Sequence, residues 1–349
     1  MIQANIFATS AAHRRAQGVW LLICCLLVYL MVVLGGATRL TGSGLSMVRW
    51  EPVSGILPPL GTEAWELEFE SYKSSPEYQK KNIGMDLKGF KSIYWFEYSH
   101  RLLGRTVGFV FLLPFLYFLA RRRLERRMIP KMLLMFLLGG FQGLLGWYMV
   151  KSGLVDDPHV SQYRLTAHLL AAVAIYGYIF WVALGLLRRP VGMSQGDPPW
   201  LRGALIAISV LVVITLATGG LVAGTRAGLV FNTFPLMGGS LVPPGYLAME
   251  PVSINFFENV ATIQFNHRLL AIATLVVVLF TAFFGIREAR AVRLRQGLWL
   301  LLGIVSIQVA VGITVLLFYV PVSLAVVHQG LALLVFTVAL YLTHRLSHP

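Results

Sequence analysis

The sequence is poor in charged residues and in cysteine, and both shortages restrict what the protein can be. Asp, Glu, Lys and Arg make up 13% of its 349 residues, about half the share found in an ordinary soluble domain. Apolar residues make up 57% and the mean hydropathy is +0.71, so a soluble globule would expose large apolar patches. An aromatic content of 12% excludes a disordered chain. The composition therefore predicts a membrane protein.

The chain has two cysteines, Cys24 and Cys25, which are adjacent within an apolar run. Neighbouring side chains on a helix point about 100° apart, so these two thiols are poorly placed to bridge each other. We predict packed or lipid-facing thiols, and neither a disulfide framework nor a cysteine metal site.

Eight apolar runs are long enough to cross a bilayer, which takes about 20 residues. They cover residues 19–38, 93–119, 132–150, 165–187, 203–223, 261–285, 297–319 and 322–343. The segments on the side of the two termini hold 16 basic residues and three acidic ones. Because cytoplasmic loops carry the excess of Lys and Arg, both termini are predicted to be cytoplasmic. The net charge of +14 then reflects the orientation of the chain in the membrane. The predicted partner of the basic residues is membrane lipid, and nucleic acid is not expected.

Two connections on the opposite, outer side are long, at residues 39–92 and 224–260. The first is rich in Trp, Tyr and Pro. This composition is typical of a cap at the membrane interface, built from short amphipathic helices with aromatic anchors.

The sequence also repeats itself. Gly36-Ala37-Thr38-Arg39 matches Gly224-Thr225-Arg226, and the segment 97–103 matches the segment 264–270. Each copy carries four spans, an even number, so both copies insert in the same direction. We therefore predict an all-α polytopic protein with eight transmembrane helices, arranged as two four-helix bundles related by a pseudo-two-fold axis. The bundles are expected to cover residues 1–190 and 200–349.

Four histidines lie within spans, one on each even-numbered span and all near the outer end: His100, His168, His267 and His328. Ionisable residues inside a membrane are costly and usually functional. Each one alone is as consistent with a satisfied core residue as with a ligand. Their recurrence as two pairs favours axial ligation of a haem iron in each bundle, whereas zinc would need further ligands. The other histidines, His13, His159, His344 and His348, are predicted to be solvated.

Five arginines lie near the outer helix ends: Arg39, Arg101, Arg105, Arg226 and Arg268. Guanidinium groups pair well with carboxylates, which makes these residues candidate contacts for haem propionates. The alternative is that they snorkel to the membrane interface.

The two copies differ at one titratable position. Glu97 lies three residues before His100 on the same helical face, and its counterpart before His267 is Gln264. One predicted pocket therefore holds a carboxylate that the other lacks. The alternative role for Glu97 is electrostatic, at a helix amino terminus or in an ion pair with an outer arginine.

With these features the chain resembles the haem A synthase family. The resemblance rests on stretches that lie in order along nearly the whole chain: Gly35-Gly36-Ala37-Thr38-Arg39-Leu40-Thr41, Ser43-Gly44-Leu45-Ser46, Trp50, Pro52, Gly55, Glu97-Tyr98-Ser99-His100-Arg101, Leu165-Thr166-Ala167-His168, Phe231-Asn232-Thr233-Phe234-Pro235-Leu236-Met237, Asn266-His267-Arg268 and Val327-His328-Gln329. The first outer loop is similar to the proteobacterial and mitochondrial class and lacks the cysteine pair of another class.

The resemblance implies an oxidoreductase that oxidises a ring methyl of haem O to the formyl group of haem A, for cytochrome oxidase. It implies haem b on His267 and His328, substrate haem between His100 and His168, and Glu97 as the catalytic residue. The implied setting is a bacterial inner membrane, with haem O synthase, oxidase assembly factors, an unidentified electron-transfer protein or a second copy of the chain as partners. A di-haem b-type cytochrome that passes electrons from quinol is the main alternative, and a parallel-repeat transporter is a weaker one.

Overall fold

The computed structural model describes residues 10–49, 55–153, 158, 160–187 and 197–347. Within these ranges the chain is helical, with no β-strand beyond an isolated bridge between Met237 and Ser240. The α-helices are α1 (Ala11–Leu40), α2 (Gly61–Lys73), α3 (Pro76–Lys81), α4 (Leu87–Ala120), α5 (Ile129–Gly153), α6 (Gln162–Leu187), α7 (Pro199–Thr225), α8 (Val260–Glu288), α9 (Val292–Leu317) and α10 (Val322–Ser347).

All helices but α2 and α3 are long and apolar enough to cross a membrane. This confirms the eight predicted spans and the all-α class. Most spans extend past the predicted runs, because hydropathy registers only the part of a helix that suits lipid. For example, α4 begins six residues before its predicted run, because the Asp86 side chain caps the helix by accepting a hydrogen bond from Gly89 N at 2.7 Å. Only the carboxyl end of α9 falls short of its predicted run, because the helix ends at Leu317 before left-handed backbone at Tyr319 and Val320.

The helices pack in a pattern that repeats along the chain. In the first half α1 packs on α4 and α6, and α5 packs on α4 and α6. In the second half α7 packs on α8 and α10, and α9 packs on α8 and α10. Across the middle α1 meets α10, α6 meets α7, and α6 meets α10. These equivalent contacts are those that a pseudo-two-fold axis would generate, while the division into bundles 1–190 and 200–349 stays a prediction.

The first outer loop forms a cap over the end of α4. Trp65, Phe69 and Tyr72 lie on one face of α2 and are buried, with spacings of four and three residues that define an amphipathic helix. They pack on Phe90 and Tyr94 near the amino-terminal end of α4. The short helices predicted for this loop are therefore present.

The prediction that all four histidines outside the two pairs are solvated is wrong for His344. His344 lies within α10 with 3% of its surface exposed, and its ring stands edge-on to Trp181 with the centroids 4.7 Å apart. The prediction was wrong because α10 continues to Ser347, past the end of the apolar run. His13 is half-buried at the start of α1. His159, His348, Trp50 and Pro52 lie outside the described residues.

Cys24 and Cys25 are both free thiols, as predicted. Their exposed fractions are 1% and 4%, so they are packed against protein rather than facing lipid.

Candidate functional site

The structure brings the four span histidines together as the two predicted pairs. His100 on α4 and His168 on α6 are close enough for their charges to interact, and so are His267 on α8 and His328 on α10. All four imidazoles are half-buried by protein atoms. Each pair thus joins the second and fourth spans of one repeat.

The hydrogen bonds around His267 define its tautomer. The Thr218 hydroxyl donates to Thr215 O at 2.9 Å, so its oxygen accepts from His267 Nδ1 at 3.0 Å. With the proton on Nδ1, the lone pair on Nε2 is available to a metal. This arrangement, in which one ring nitrogen is held by the protein and the other is left for a ligand, is characteristic of metal-binding histidines.

The second histidine of each pair has a glutamine beside it. Gln142 on α5 places its Nε2 atom 3.4 Å from His168 Nε2, and it donates to His168 O at 3.0 Å. Gln308 on α9 places its Nε2 atom 3.5 Å from His328 Nε2. Neither glutamine was singled out from the sequence. The signal that would have found them is their equivalent position on the third span of each repeat.

The donor set suits a haem iron better than a bare metal ion. Among the described residues no group of three or more His, Cys, Asp or Glu side chains could hold an ion. Two imidazoles on facing helices are what a macrocycle requires, because its own nitrogens supply the remaining ligands. The buried Nδ1 atoms of His168 and His328 have no hydrogen-bond partner within the protein. The residues therefore fit two haems, one per histidine pair.

Glu97 is buried and fully engaged. Its side chain is 3% exposed and accepts hydrogen bonds from Ser46 Oγ at 2.7 Å, Met47 N at 2.9 Å and Arg101 at 2.5 Å. Three donors, one of them cationic, therefore fix the position of this carboxyl group. Glu97 therefore fastens the start of the cap to α4, one turn before His100.

At the corresponding position in the second repeat, the side chain donates a hydrogen bond to the loop instead of accepting one. Gln264 is 2% exposed, and its amide Nε2 donates to Phe231 O at 3.0 Å. Glu97 accepts a loop N–H, whereas Gln264 donates to a loop carbonyl. The two repeats thus differ at this position in the charge of the side chain and in the backbone group that it binds.

Arg101 and Arg268 hold equivalent parts of the two outer loops. Arg101 donates to Met47 O at 3.0 Å and Arg49 O at 3.1 Å. Arg268 donates to Phe231 O at 2.6 Å and Thr233 O at 2.8 Å. Both arginines bind carbonyls two residues apart and pin their loops to the helix that carries the first histidine. Contacts of these residues with propionates stay a prediction.

The remaining arginines are less equivalent than the sequence match suggests. Arg39 lies in the last turn of α1 and reaches Ala223 O and Gly224 O, both at 3.4 Å, at the carboxyl end of α7. A guanidinium at this place donates hydrogen bonds to the last carbonyls of the helix and interacts favourably with the negative end of the helix dipole. Arg226 is exposed and follows α7 in left-handed backbone. Arg105 lies one turn after Arg101 and is half-buried.

A second buried carboxyl group lies in the cap. Glu77 on α3 is 5% exposed and accepts a hydrogen bond from the Tyr72 hydroxyl at 3.2 Å, while Asn82 donates to that hydroxyl at 2.7 Å. Burial raises the pKa of Glu77 to about 7; the Tyr72 hydrogen bond opposes this shift, and the negative charge of Glu97 adds to it. Burial also raises the pKa of Tyr72. The cap therefore contains a group that titrates near neutral pH.

Comparison with known proteins places the chain in a family. A family model described as "Cytochrome oxidase assembly protein" (COX15-CtaA) matches residues 18–340. The chain is 50% identical over 344 residues to the Heme A synthase of Nitrosospira multiformis, covering 96% of this chain and 94% of the relative. It is 45% identical over 349 residues to Heme A synthase COX15 of Arabidopsis thaliana, covering 95% of this chain and 75% of the relative. The protein belongs to the COX15-CtaA family.

Proposed function

We propose that this protein is a haem A synthase, a membrane oxidoreductase that converts haem O into haem A by oxidising a ring methyl to a formyl group. The observation that carries the proposal is the repeated histidine pair with a carboxylate beside only one copy. Membership of the family and the names of the relatives support it. The di-haem electron carrier gains no support from these names, and it gives no reason for Glu97 and Gln264 to differ.

In this proposal the two pockets have different occupants. Haem b is held by His267 and His328, and the substrate haem lies between His100 and His168. When bound, haem b supplies a centre that accepts and donates single electrons. Imidazole nitrogens of these histidines would hold the two haems, and the Thr218 hydroxyl keeps the proton of His267 on Nδ1.

Glu97 is the proposed catalytic residue. Oxidation of a methyl group withdraws electrons and releases protons. A buried carboxylate stabilises developing positive charge or accepts a proton. The ion pair with Arg101 and the hydrogen bonds from Ser46 and Met47 hold this carboxyl group in a fixed orientation. Gln264 cannot perform either task, so the haem in the second pocket stays unchanged.

The proposed cellular setting follows from the membrane spans and the family. The protein acts in the bacterial inner membrane with both termini in the cytoplasm, as the distribution of basic residues indicates. Haem O synthase supplies the substrate and oxidase assembly factors receive the product, while an electron-transfer partner removes the electrons. Association with a second copy of the chain belongs to the same set of proposals.

Replacement of the second histidine pair tests the cofactor assignment. His267→Ala and His328→Ala should each lower the haem b that copurifies with the protein and abolish its six-coordinate, low-spin spectrum, because one axial nitrogen is lost. His344→Ala is the matched control, since this buried histidine lies on α10 with His328. The assignment is wrong if both pocket variants keep an unchanged low-spin haem b spectrum.

A further inference from the structure

Each of the four pocket histidines rests against a glycine on a neighbouring helix. A Cβ atom added at the glycine would lie 3.1 Å from His100, 3.1 Å from His168, 3.2 Å from His267 or 2.7 Å from His328. The glycines, in the same order, are Gly35 on α1, Gly146 on α5, Gly219 on α7 and Gly312 on α9. Each imidazole therefore occupies space that any other residue would fill with its side chain.

The four contacts obey the symmetry of the repeat. Gly35 and Gly219 lie on the first span of their halves and contact the first histidine of each pair. Gly146 and Gly312 lie on the third span and contact the second histidine. Glycine inside a helix costs about 1 kcal/mol relative to alanine. Its use at four equivalent contacts indicates that close approach of the imidazole is required at each.

The third spans add a polar side chain to the glycine. Gln142 precedes Gly146 by four residues, and Gln308 precedes Gly312 by four, so each pair lies on one helical face. The glutamine amide nitrogen is 3.4 Å from His168 Nε2 in the first half and 3.5 Å from His328 Nε2 in the second. The Oε1 atoms of both glutamines are buried without a hydrogen-bond partner in the protein. We call each of these glutamine–glycine pairs a cradle.

We propose that the glycines and cradles are positioning residues, which set the depth and rotation of the axial histidines. Gly219, Gly312 and Gln308 act on the haem b ligands His267 and His328; Gly35, Gly146 and Gln142 act on the ligands of the substrate haem. The inference rests on the proposed function. It adds that neighbouring helices orient the ligands, as outer contacts commonly do at metal sites.

The second pocket allows a test with controls on the same helices. Gly219→Ala on α7 and Gly312→Ala on α9 each introduce a methyl group against an imidazole. Gly203→Ala on α7 and Gly303→Ala on α9 introduce the same methyl group where nothing beyond the local backbone of the same helix lies within 4 Å. The readouts are haem b per purified protein, the low-spin optical and electron paramagnetic resonance signals, and the midpoint potential.

We expect the two pocket variants to retain haem b about tenfold less tightly or to show a shifted low-spin signal. Gly312→Ala should have the larger effect, because its added Cβ would lie 2.7 Å from His328, whereas the one at Gly219 would lie 3.2 Å from His267. Both controls should match the parent protein. Gln308→Leu, which keeps bulk but removes the amide, should shift the signal while the protein keeps its helix content.

The outcomes separate this inference from the proposed function. If His328→Ala loses haem b while Gly219→Ala, Gly312→Ala and Gln308→Leu all keep the parent spectrum and potential, the positioning role is wrong and the ligand assignment stands. If His328→Ala retains low-spin haem b, the assignment itself is wrong. If Gly312→Ala fails to fold, as judged by yield and helix content, Gly219→Ala and Gln308→Leu decide, and parent-like behaviour of both overturns the inference.

Discussion

Replacement of Glu97 by glutamine removes the carboxylate that distinguishes the first repeat and leaves the side chain nearly unchanged in shape. Glu97 accepts from Ser46, Met47 and Arg101, and hydrogen bonds to a charged group are worth about 1.5–3 kcal/mol each. The glutamine keeps one acceptor oxygen and must turn its NH₂ group toward one of these donors. We therefore expect the anchor of the cap to weaken by about 3 kcal/mol. Arg101 keeps its bonds to Met47 O and Arg49 O, so the loop should stay docked.

The effect of Glu97→Gln on activity should exceed its effect on structure. Loss of a positioned acid or base typically costs about 100-fold or more in rate, so little haem A should form and haem O or its hydroxymethyl form should accumulate. Chromatography of haems extracted from cells that express the variant measures this directly. Haem b should remain, because its proposed ligands His267 and His328 lie in the other repeat.

Ser46→Ala is the matched control for the anchoring role of Glu97. It removes one donor, at about 1 kcal/mol, and leaves the charge of Glu97 paired with Arg101. We expect nearly normal haem A from this variant. Nearly normal haem A from Glu97→Gln would mean that the carboxylate is structural. An equal loss in Glu97→Gln and Ser46→Ala would mean that the position of the loop, rather than the charge, controls the reaction.

Two further predictions concern the cap and the middle of the molecule. Burial raises the pKa of Glu77 from 4.5 to about 7. Between these pH values the folded cap therefore keeps a proton that the unfolded cap releases. The stability of the cap should fall by about 3 kcal/mol as the pH rises from 4.5 to 7. Glu77→Gln should remove this dependence in hydrogen exchange of the cap at pH 5 and 8, and an equally steep loss in the variant would contradict the argument. A Cβ at Gly36 on α1 would clash with the Gln329 amide of α10, which donates to Val32 O at 2.8 Å. Gly36→Ala should therefore cost about 1–3 kcal/mol in thermal unfolding, and addition of Gln329→Ala should recover part of it; an unchanged melting temperature in Gly36→Ala would refute this.

The spans and the histidine pairs could be predicted from sequence because a bilayer imposes simple rules. Every span must be apolar over about 20 residues, so hydropathy locates it and an intramembrane histidine is conspicuous. The same rules fail at the ends of helices, where lipid no longer constrains composition. His344 shows this, because α10 buries it beyond the last residue of the apolar run.

Contacts between helices could not be read from the sequence in the same way. Glycine is common in membrane helices, so nothing distinguishes Gly312, which meets His328, from Gly303, which meets nothing. The outer arginines show a similar limit. The sequence shows that an arginine lies near a helix end, but it does not show which group the arginine binds. Arg101 and Arg268 donate hydrogen bonds to loop carbonyls. Only the three-dimensional packing identifies the partner.

The difference between Glu97 and Gln264 extends to the loops that face them, and a final prediction tests this. Arg101 binds Met47 O and Arg268 binds Phe231 O, which makes Val230 the counterpart of Ser46. A glutamate at position 264 could pair with Arg268, but it would lack a hydroxyl donor and would face the carbonyl of Phe231 instead of an N–H.

We therefore expect Gln264→Glu to lower stability by about 3 kcal/mol, since two hydrogen bonds that satisfy Glu97 are missing there. Thermal unfolding of the purified protein measures the loss, and addition of Val230→Ser should recover about 1 kcal/mol by restoring one donor. Full stability of Gln264→Glu alone would show that the second loop can already accommodate a carboxylate. The two repeats would then differ here only in the side chain at positions 97 and 264. The loops that bind these side chains would be equivalent.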